Sequence, residues 1–284
     1  MSEVLKIENL AKSFPKFTLN HVSFSVQEGQ ICGFIGRNGA GKTTTLKSLV
    51  NMVHPDSGKI EIAGYDFSEN ELKCKENVGL VFDNFAFYKN KTLDLITLIY
   101  KKFYKNWDDA LYLKWMKLFK LDGDKLVSQL STGMRLKYAL AVALSHNAKL
   151  LILDEPTSGL DPVSRSELLD TFIYVVDHTN CGILFSTHIT SDLEQCADKI
   201  VYIKEGSIIL DMPREDIAKE FKVIRGQLDT YDKNNDKLLL GSKKQRGEIQ
   251  ALIRKSDLGK FQNMEVKDAD IESVMVFMDR GEAL

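Results

Sequence analysis

Residues 36–43 read GRNGAGKT and match the pattern G-x-x-x-x-G-K-[ST] at every fixed position. An apolar run at 31–35 precedes them, and apolar residues at helical spacing follow over 46–53. This order predicts a strand, a phosphate-binding loop and a helix, because glycines let backbone N–H groups point at phosphate oxygens and the helix N-terminus adds partial positive charge. Lys42 is then expected to reach the β- and γ-phosphates, and Thr43 to offer its hydroxyl to Mg²⁺.

A second apolar run, residues 150–153, ends in the adjacent carboxylates Asp154 and Glu155. Four consecutive apolar residues are typical of a strand that is buried on both faces of a parallel sheet. Asp154 is therefore predicted at the carboxyl edge of the sheet, where it would hold Mg²⁺. Because side chains alternate along a strand, Glu155 is predicted to point to the opposite side and to polarise an attacking water.

Three shorter patterns also lie downstream of the P-loop. Residues 130–134 (LSTGM) come before a stretch rich in helix formers, and by themselves they indicate a helix start capped by Ser131. Residues 158–162 (SGLDP) indicate a turn soon after the acidic pair. Residues 182–187 read as a further central strand that ends before His188, at the edge where ligands bind in parallel sheets.

The five motifs, in this order, resemble the nucleotide-binding subunit of an ATP-binding cassette (ABC) transporter over about residues 1–215. The resemblance implies an α/β fold: a P-loop NTPase core with an antiparallel β subdomain and an inserted helical subdomain at about 84–145. The cassette domain is expected to span 1–220. Residues 221–284 are expected to form a small α+β C-terminal region that contributes to dimer contacts or regulation.

The resemblance also implies how such a chain works. Cassettes act as head-to-tail dimers that enclose two ATP molecules. Each ATP therefore meets the P-loop of one subunit and the signature loop, residues 130–134 in this chain, of the other. On this basis Glu155 is the catalytic base or water-orienting group, His188 is a catalytic residue that contacts the γ-phosphate, and Asp161 couples the two sites across the dimer. The implied ATP contacts are Phe14, Gly36, Asn38, Gly39, Ala40, Gly41, Lys42, Thr43 and Thr44 in one subunit, with Ser131, Thr132 and Gly133 from the other; the implied Mg²⁺ ligands are Thr43, Asp154 and Asp83.

The signature loop departs from the family pattern Leu-Ser-Gly-Gly-Gln. Thr132 and Met134 replace the first Gly and the Gln. The positions that touch phosphate, Ser131 and Gly133, remain, so function is expected to survive.

Asp83 also departs from the pattern, because it follows the strand at 78–82 where the family usually has Gln. A carboxylate there could approach Mg²⁺, but it cannot donate a hydrogen bond unless protonated. The aromatic residue that stacks on adenine is either Phe14 or Phe17, and Phe14 is preferred because it follows residues 10–13 (LAKS) as in the family. Both could instead be core aromatics.

Composition sets limits on the class of protein. The formal net charge is −2, so no general affinity for nucleic acid is indicated. The four cysteines are scattered without a C-x-x-C pair, which favours a reducing compartment and argues against zinc. No apolar run approaches the ~20 residues that cross a bilayer, so a transporter would need its permease as a separate chain.

The C-terminal residues change pattern from about 221. Residues 222–226 and 238–240 read as short strands, and 241–247 read as polar and turn-rich. Residues 270–278 read as a helix with one apolar face.

The leading hypothesis is the ATPase subunit of an exporter for peptides, antibiotics or other hydrophobic molecules, bound peripherally at the cytoplasmic face of the membrane. The C-terminal region and residues 143–147 (ALSHN) resemble such exporters. A homodimer is expected, because Glu155 and Ser131 are both present and two identical subunits would have two competent sites. The alternative is a non-transport cassette ATPase acting in translation or DNA repair, but those usually carry two cassettes or a long coiled coil.

Overall fold

The computed structural model describes residues 2–82, 88–229 and 231–280. The strands are β1 (Glu3–Phe14), β2 (Phe17–Gln27), β3 (Ile31–Ile35), β4 (Ser57–Ile62), β5 (Tyr65–Asp66), β6 (Val78–Val81), β7 (Leu150–Asp154), β8 (Gly182–Thr187), β9 (Lys199–Lys204), β10 (Ser207–Pro213), β11 (Phe221–Gln227), β12 (Leu239–Gln245), β13 (Glu248–Arg254) and β14 (Glu265–Asp268). The helices are α1 (Lys42–Leu49), α2 (Glu71–Glu76), α3 (Leu93–Tyr100), α4 (Asp109–Leu118), α5 (Thr132–Ser145), α6 (Pro162–Thr179), α7 (Thr190–Cys196), α8 (Ile217–Glu220) and α9 (Ile271–Arg280).

The central sheet has the order β10-β9-β3-β8-β7-β6 among the described strands, and all its neighbours are parallel except β10 and β9. Its middle strands β3, β7 and β8 are buried throughout. In β7, Leu151 and Leu153 belong to the hydrophobic cluster that contains α5 and α6, whereas Leu150 and Ile152 belong to the cluster that contains α1. This alternation covers both faces of the sheet, so its carboxyl edge is where polar groups can meet.

A second sheet, β2-β1-β4-β5, is antiparallel. The resemblance implies an antiparallel β subdomain of this kind, and the apolar face of the sheet joins the α1 side of the central core. The hairpin between β1 and β2 brings Phe14 and Phe17 opposite each other.

Three helices, α3 to α5, lie between β6 and β7, within the segment where a helical subdomain is expected. Each begins at a side-chain cap, namely Thr92, Asp108 and Ser131. In their interior the Thr97 hydroxyl lies 2.9 Å from the Tyr112 hydroxyl and 2.8 Å from that of Tyr138, which joins the three helices through satisfied polar groups.

The C-terminal residues form an antiparallel sheet of order β12-β13-β11-β14, with α9 packed beside it. The prediction of a turn-rich segment at 241–247 is wrong for most of its length, because β12 continues to Gln245 and pairs with β13. Gly241 explains why the pattern misled: a Cβ there would lie 2.0 Å from the Phe277 carbonyl oxygen, so the glycine allows α9 to approach the strand rather than marking a turn.

Helix α9 also contacts the central domain. Its first N–H, from Ile271, donates to Glu194 Oε1 at 2.9 Å. Near its other end, Lys204 Nζ donates to the Met278 carbonyl at 2.9 Å, and Arg37 lies 2.9 Å from Asp279. The C-terminal region therefore folds back to the edge of the P-loop.

In the described part of the chain, no helix combines the length and the apolar composition that crossing a bilayer requires.

Candidate active site

The P-loop turns sharply between β3 and α1. Gly41 has φ +114°, a backbone conformation that L side chains rarely adopt, and it immediately precedes α1. Gly36 packs directly on β9, since a Cβ there would lie 2.5 Å from the Ile203 carbonyl oxygen. Of the other predicted contacts, Asn38 and Gly39 are exposed, Ala40 is buried and Thr44 is half-buried in α1.

Lys42 is held at the start of α1 with only 5% of its surface exposed. Its ammonium donates to the Gly36 carbonyl at 2.7 Å and lies 3.1 Å from Glu155 Oε1. The cation is therefore fixed between the P-loop backbone and the acidic end of β7.

Asp154 connects the P-loop to β8. Thr43 Oγ1 donates to Asp154 Oδ2 at 2.8 Å, and Ser186 Oγ donates to Oδ1 at 2.6 Å. The Thr43 hydroxyl and the Asp154 carboxylate thus present oxygen atoms side by side, the donor type that Mg²⁺ takes.

Ser186 is the site residue that the sequence analysis did not single out. Besides bonding Asp154, its hydroxyl accepts from the Glu155 N–H at 2.9 Å. The available signal was its register: Ser186 is the next-to-last residue of the buried strand β8 and pairs directly with Asp154, so a polar side chain near the end of that strand lies beside the acidic pair.

Glu155 does not point to the opposite side of the sheet, so that prediction is wrong. Strand β7 ends at Asp154, and Glu155 takes a left-handed conformation with φ +49°, which stops the alternation of side chains. As a result its carboxylate contacts Lys42, while that of Asp154 contacts the next residue, Thr43. A left-handed non-glycine residue costs about 1 kcal/mol or more, and strain of this kind is found at functional sites.

His188 follows β8 and reaches the same carboxylate. Its Nδ1 lies 2.8 Å from Glu155 Oε2. Because a carboxylate only accepts, Nδ1 carries the proton and Nε2 remains free for a further partner. The His188 side chain is 43% exposed.

The signature-loop residue Ser131 and Asp161 each cap a helix, and among the described residues their hydrogen bonds go to that helix rather than to the cluster of Lys42, Asp154, Glu155 and His188. Ser131 is exposed and accepts from the Met134 N–H at 3.2 Å, which caps α5. Asp161 caps α6 by accepting from the Val163 and Ser164 N–H groups, each at 3.0 Å, and its pKa is lowered chiefly by the Ser164 hydroxyl.

The two loops nevertheless lie close to each other and to the acidic pair. A Cβ on Gly133 would lie 3.7 Å from Ser164 Cβ, in the first turn of α6. Thr132 lines a cavity of about 270 Å³ together with Asp154 and Glu155.

The two adenine candidates lie together, with ring centroids 6.4 Å apart, and Phe17 lies beside the P-loop. Phe14 is 41% exposed at the hairpin tip. Phe17 is half-buried, and its ring would lie 2.8 Å from a Cβ on Gly41. Asp83, the uncertain Mg²⁺ ligand, lies outside the described residues.

Comparisons with known proteins agree with this geometry. Residues 19–158 match the family described as ABC transporter. The bacitracin transport ATP-binding protein BcrA of Bacillus licheniformis is 35% identical over 226 residues, which cover 77% of this chain and 72% of the relative. This chain belongs to the ATP-binding subunits of ABC transporters.

Two further similarities extend the match. The lantibiotic transport ATP-binding protein SrtF of Streptococcus pyogenes is 36% identical over 211 residues, 73% of this chain and 90% of the relative. A solved structure described as an ATP binding subunit of an ABC transporter superimposes with a TM-score of 0.68 at 26% identity, over 76% of this chain and 92% of that one.

Membership in the family confirms several predictions. The cassette fold is confirmed, as is the assignment to the exporter class of ATP-binding subunits. The ABC subunit binds ATP and hydrolyses it in support of transport, and its partner is a membrane permease. None of these relatives supports the alternative in translation or DNA repair.

In this ABC subunit the carboxyl edge of the sheet brings together an ammonium, two carboxylates and an imidazole. Catalysis of phosphoryl transfer to water is mainly a matter of positioning and charge stabilisation. The ammonium of Lys42 is suited to phosphate, Asp154 with Thr43 to a hard cation, and Glu155 to a water molecule.

Proposed function

We propose that this subunit hydrolyses Mg²⁺-ATP in a head-to-tail dimer and drives export of peptide or other hydrophobic antibiotics through a separate permease. The observation that carries the proposal is the convergence of Lys42, Thr43, Asp154, Glu155 and His188 at one edge of the parallel sheet. The subunit then acts peripherally at the cytoplasmic face of the membrane.

Lys42 and the P-loop backbone bind the β- and γ-phosphates. Residues 36–44 supply N–H groups and the positive end of α1, which favour an anion at this position. Thr43 and Asp154 hold Mg²⁺, with Ser186 fixing the carboxylate. When bound, the ion neutralises charge on the phosphate oxygens.

Glu155 orients the attacking water. His188 holds Oε2, and Oε1 is buried 3.1 Å from the Lys42 ammonium, so Oε1 becomes free to accept a hydrogen bond from water when Lys42 turns to a bound phosphate. Water placed there is directed at a phosphate bound to Lys42, and His188 would donate to the γ-phosphate from Nε2 when that nitrogen carries a proton as well.

The signature loop completes the site of a second copy. Ser131 and Thr132 are exposed and Gly133 is half-buried, so their outer surface is accessible to a partner. Asp161 is also exposed at the start of α6, beside this loop, where it would meet the opposite subunit. Since one chain carries both Glu155 and Ser131, a homodimer has two competent sites.

An apolar surface on the helical segment binds the permease. Leu98, Ile99 and Phe103 are 49%, 44% and 75% exposed at the end of α3, and Tyr88 is 71% exposed nearby in sequence. The occupant we assign is an amphipathic cytoplasmic helix of the permease, which would bury these side chains. Phe85 and Phe87, which come shortly before Tyr88 in the sequence, lie outside the described residues.

The class of cargo rests on the relatives, whose names refer to bacitracin and to a lantibiotic. Both relatives are described as ATP-binding proteins, and we assign cargo recognition to the permease. Deletion of this chain in its native cells should lower resistance to the antibiotic that is exported.

The first experiment measures ATP hydrolysis by the purified chain and its Glu155→Gln variant. The variant should bind ATP with wild-type affinity, lose at least about 100-fold in kcat and form an ATP-dependent dimer by light scattering. Glu28→Gln is the matched control, because Glu28 is exposed at the other end of β3. A variant that hydrolyses normally, or stays monomeric with ATP, contradicts the proposal.

The second experiment identifies the partner. The tagged chain is purified from gently solubilised membranes, with and without Leu98→Lys and Phe103→Ser. A polytopic membrane protein should copurify and be lost from the double variant, but not from Leu72→Lys, an exposed position on α2. Recovery of ribosomes instead would mean that the cassette serves another machine.

A further inference from the structure

Asp192 on α7 is a buried carboxylate without a role in the mechanism above. It is 1% exposed, and neither of its oxygens has a hydrogen bond of standard geometry among the described residues, although the Thr157 hydroxyl lies near enough to influence it. Burial raises the pKa of Asp192, while the nearby Thr157 hydroxyl and Arg165 lower it. A buried carboxylate without hydrogen bonds is costly, so its presence calls for an arrangement in which it is paired.

Two other unsatisfied groups lie beside it. The Arg165 Nε is buried without a hydrogen-bond partner and lies 3.9 Å from Asp192 Oδ1. The Thr157 hydroxyl is likewise buried without a hydrogen bond of normal geometry. A movement of about 1 Å would bring Arg165 within hydrogen-bond distance of Asp192, so a small shift satisfies several groups at once.

The position of this cluster links three parts of the active site. Thr157 lies two residues after Glu155, and Arg165 lies in the first turns of α6, after Asp161. Helix α7 begins two residues after His188. The charges of Glu155 and His188 both influence the pKa of Asp192, so the cluster lies within electrostatic reach of that pair.

The outer side of the same α6–α7 contact is already hydrogen-bonded. Gln195 Nε2 donates to Ser166 Oγ at 3.3 Å and to Asp170 Oδ1 at 3.4 Å. The unsatisfied groups are the buried ones, and they lie within electrostatic reach of Glu155 and His188. The exposed groups therefore hold the two helices together, whereas the buried groups are free to respond to a change at the active site.

We propose that Asp192 is a positioning residue for ATP hydrolysis. When Asp161 meets the second subunit, α6 shifts toward α7, and Arg165 and Thr157 pair with Asp192. The segment from Glu155 to Asp161 is thereby held against α7, which fixes Glu155 and His188 for attack by water. The inference rests on the proposed dimeric mechanism, and Asp192 itself touches no substrate.

The experiment is a double-mutant cycle on steady-state ATP hydrolysis. Asp192→Asn and Arg165→Gln should each lower kcat by about tenfold to a hundredfold, because misplacing reacting groups by ~1 Å has effects of that size. KM for ATP should change by less than about twofold, since the P-loop contacts are intact. The double variant should be no worse than the poorer single variant, because both remove one interaction.

Asp170→Asn is the matched control on the outer side of the same helix contact and should keep wild-type kcat. Multiplicative effects in the double variant, or a raised KM with unchanged kcat, would overturn the inference. Arg165 is partly exposed, so Arg165→Lys serves as a second variant if Asp192→Asn unfolds. If Glu155→Gln is inactive and Asp192→Asn is normal, this inference fails alone; if Glu155→Gln retains turnover, the proposed function fails first.

Discussion

Ser186→Ala tests whether strand β8 positions the carboxylates of Asp154 and Glu155 for ATP hydrolysis. The Ser186 hydroxyl donates to Asp154 Oδ1 at 2.6 Å and accepts from the Glu155 N–H at 2.9 Å. Alanine removes both contacts and only one atom. The Glu155 N–H also lies 3.2 Å from the Ser186 carbonyl oxygen, so that donor keeps an acceptor in the variant.

The expected loss in kcat follows from the hydrogen bond to Asp154, which no other group replaces in the variant. A hydrogen bond to a charged group is worth about 1.5–3 kcal/mol, and the bond to Asp154 is of this kind. We take about 2 kcal/mol as the loss of positioning, because Thr43 still holds the other carboxylate oxygen. That corresponds to about a 30-fold lower kcat.

The assay is steady-state ATP hydrolysis at saturating Mg²⁺, with the Mg²⁺ dependence measured in parallel. Ser186→Ala should lower kcat and raise the Mg²⁺ concentration needed for half-maximal rate, while KM for ATP changes little. Ser145→Ala is the control, because Ser145 is equally buried but bonds a backbone carbonyl at the end of α5. Equal kcat losses in the two variants, or wild-type kinetics in Ser186→Ala, would refute the reasoning.

Three further predictions address the signature loop, the adenine-binding aromatic residue and the stability of the fold. Gly133→Ala should not lower the melting temperature, since the added Cβ meets only ordinary contacts at 3.7 Å within the chain. It should reduce ATP hydrolysis at least about tenfold if the signature loop packs on the γ-phosphate of the ATP bound to the second subunit. Full activity would contradict that placement. Phe14→Ala should raise KM for ATP about tenfold through loss of stacking, and a larger effect from Phe17→Ala would move the adenine site to Phe17. Burial lowers the pKa of His146 to about 4, below its unfolded value of about 6.5. The neutral side chain therefore contributes fully to stability above pH 6.5, and this contribution is lost as the pH falls toward 4. The free energy of unfolding should fall by up to about 1.4 kcal/mol per pH unit in this window. Chemical denaturation at several pH values should show a flatter slope for His146→Phe, which can retain the stacking on Tyr104, and an unchanged slope would disprove the assignment.

Much of the site was predictable because the residues are close in sequence to strands with a clear apolar pattern. The strand at 31–35 and the start of α1 near Lys42 follow from a run that only a buried strand explains and from glycines that only a tight loop requires. Asp154 could likewise be placed, because it ends a strand with no other polar residue.

The orientation of Glu155 could not be predicted by the same reasoning. Alternation holds only while the strand continues, and the left-handed conformation that ends it depends on bonds from Glu155 N–H to Ser186, thirty-one residues away. The role of Ser186 is a matter of register between β7 and β8 and is invisible in either segment alone.

The order of the motifs, the central strands and the kind of chemistry follow from the amino-acid sequence, since these depend on residue type and local periodicity. The pairing of the groups depends on the fold: Lys42 pairs with Glu155, Thr43 pairs with Asp154, and the buried Asp192 lies beside Arg165. Such pairings arise from strand register, loop conformation and helix packing across long sequence separations. Their distances are set by the whole core, which no local pattern encodes.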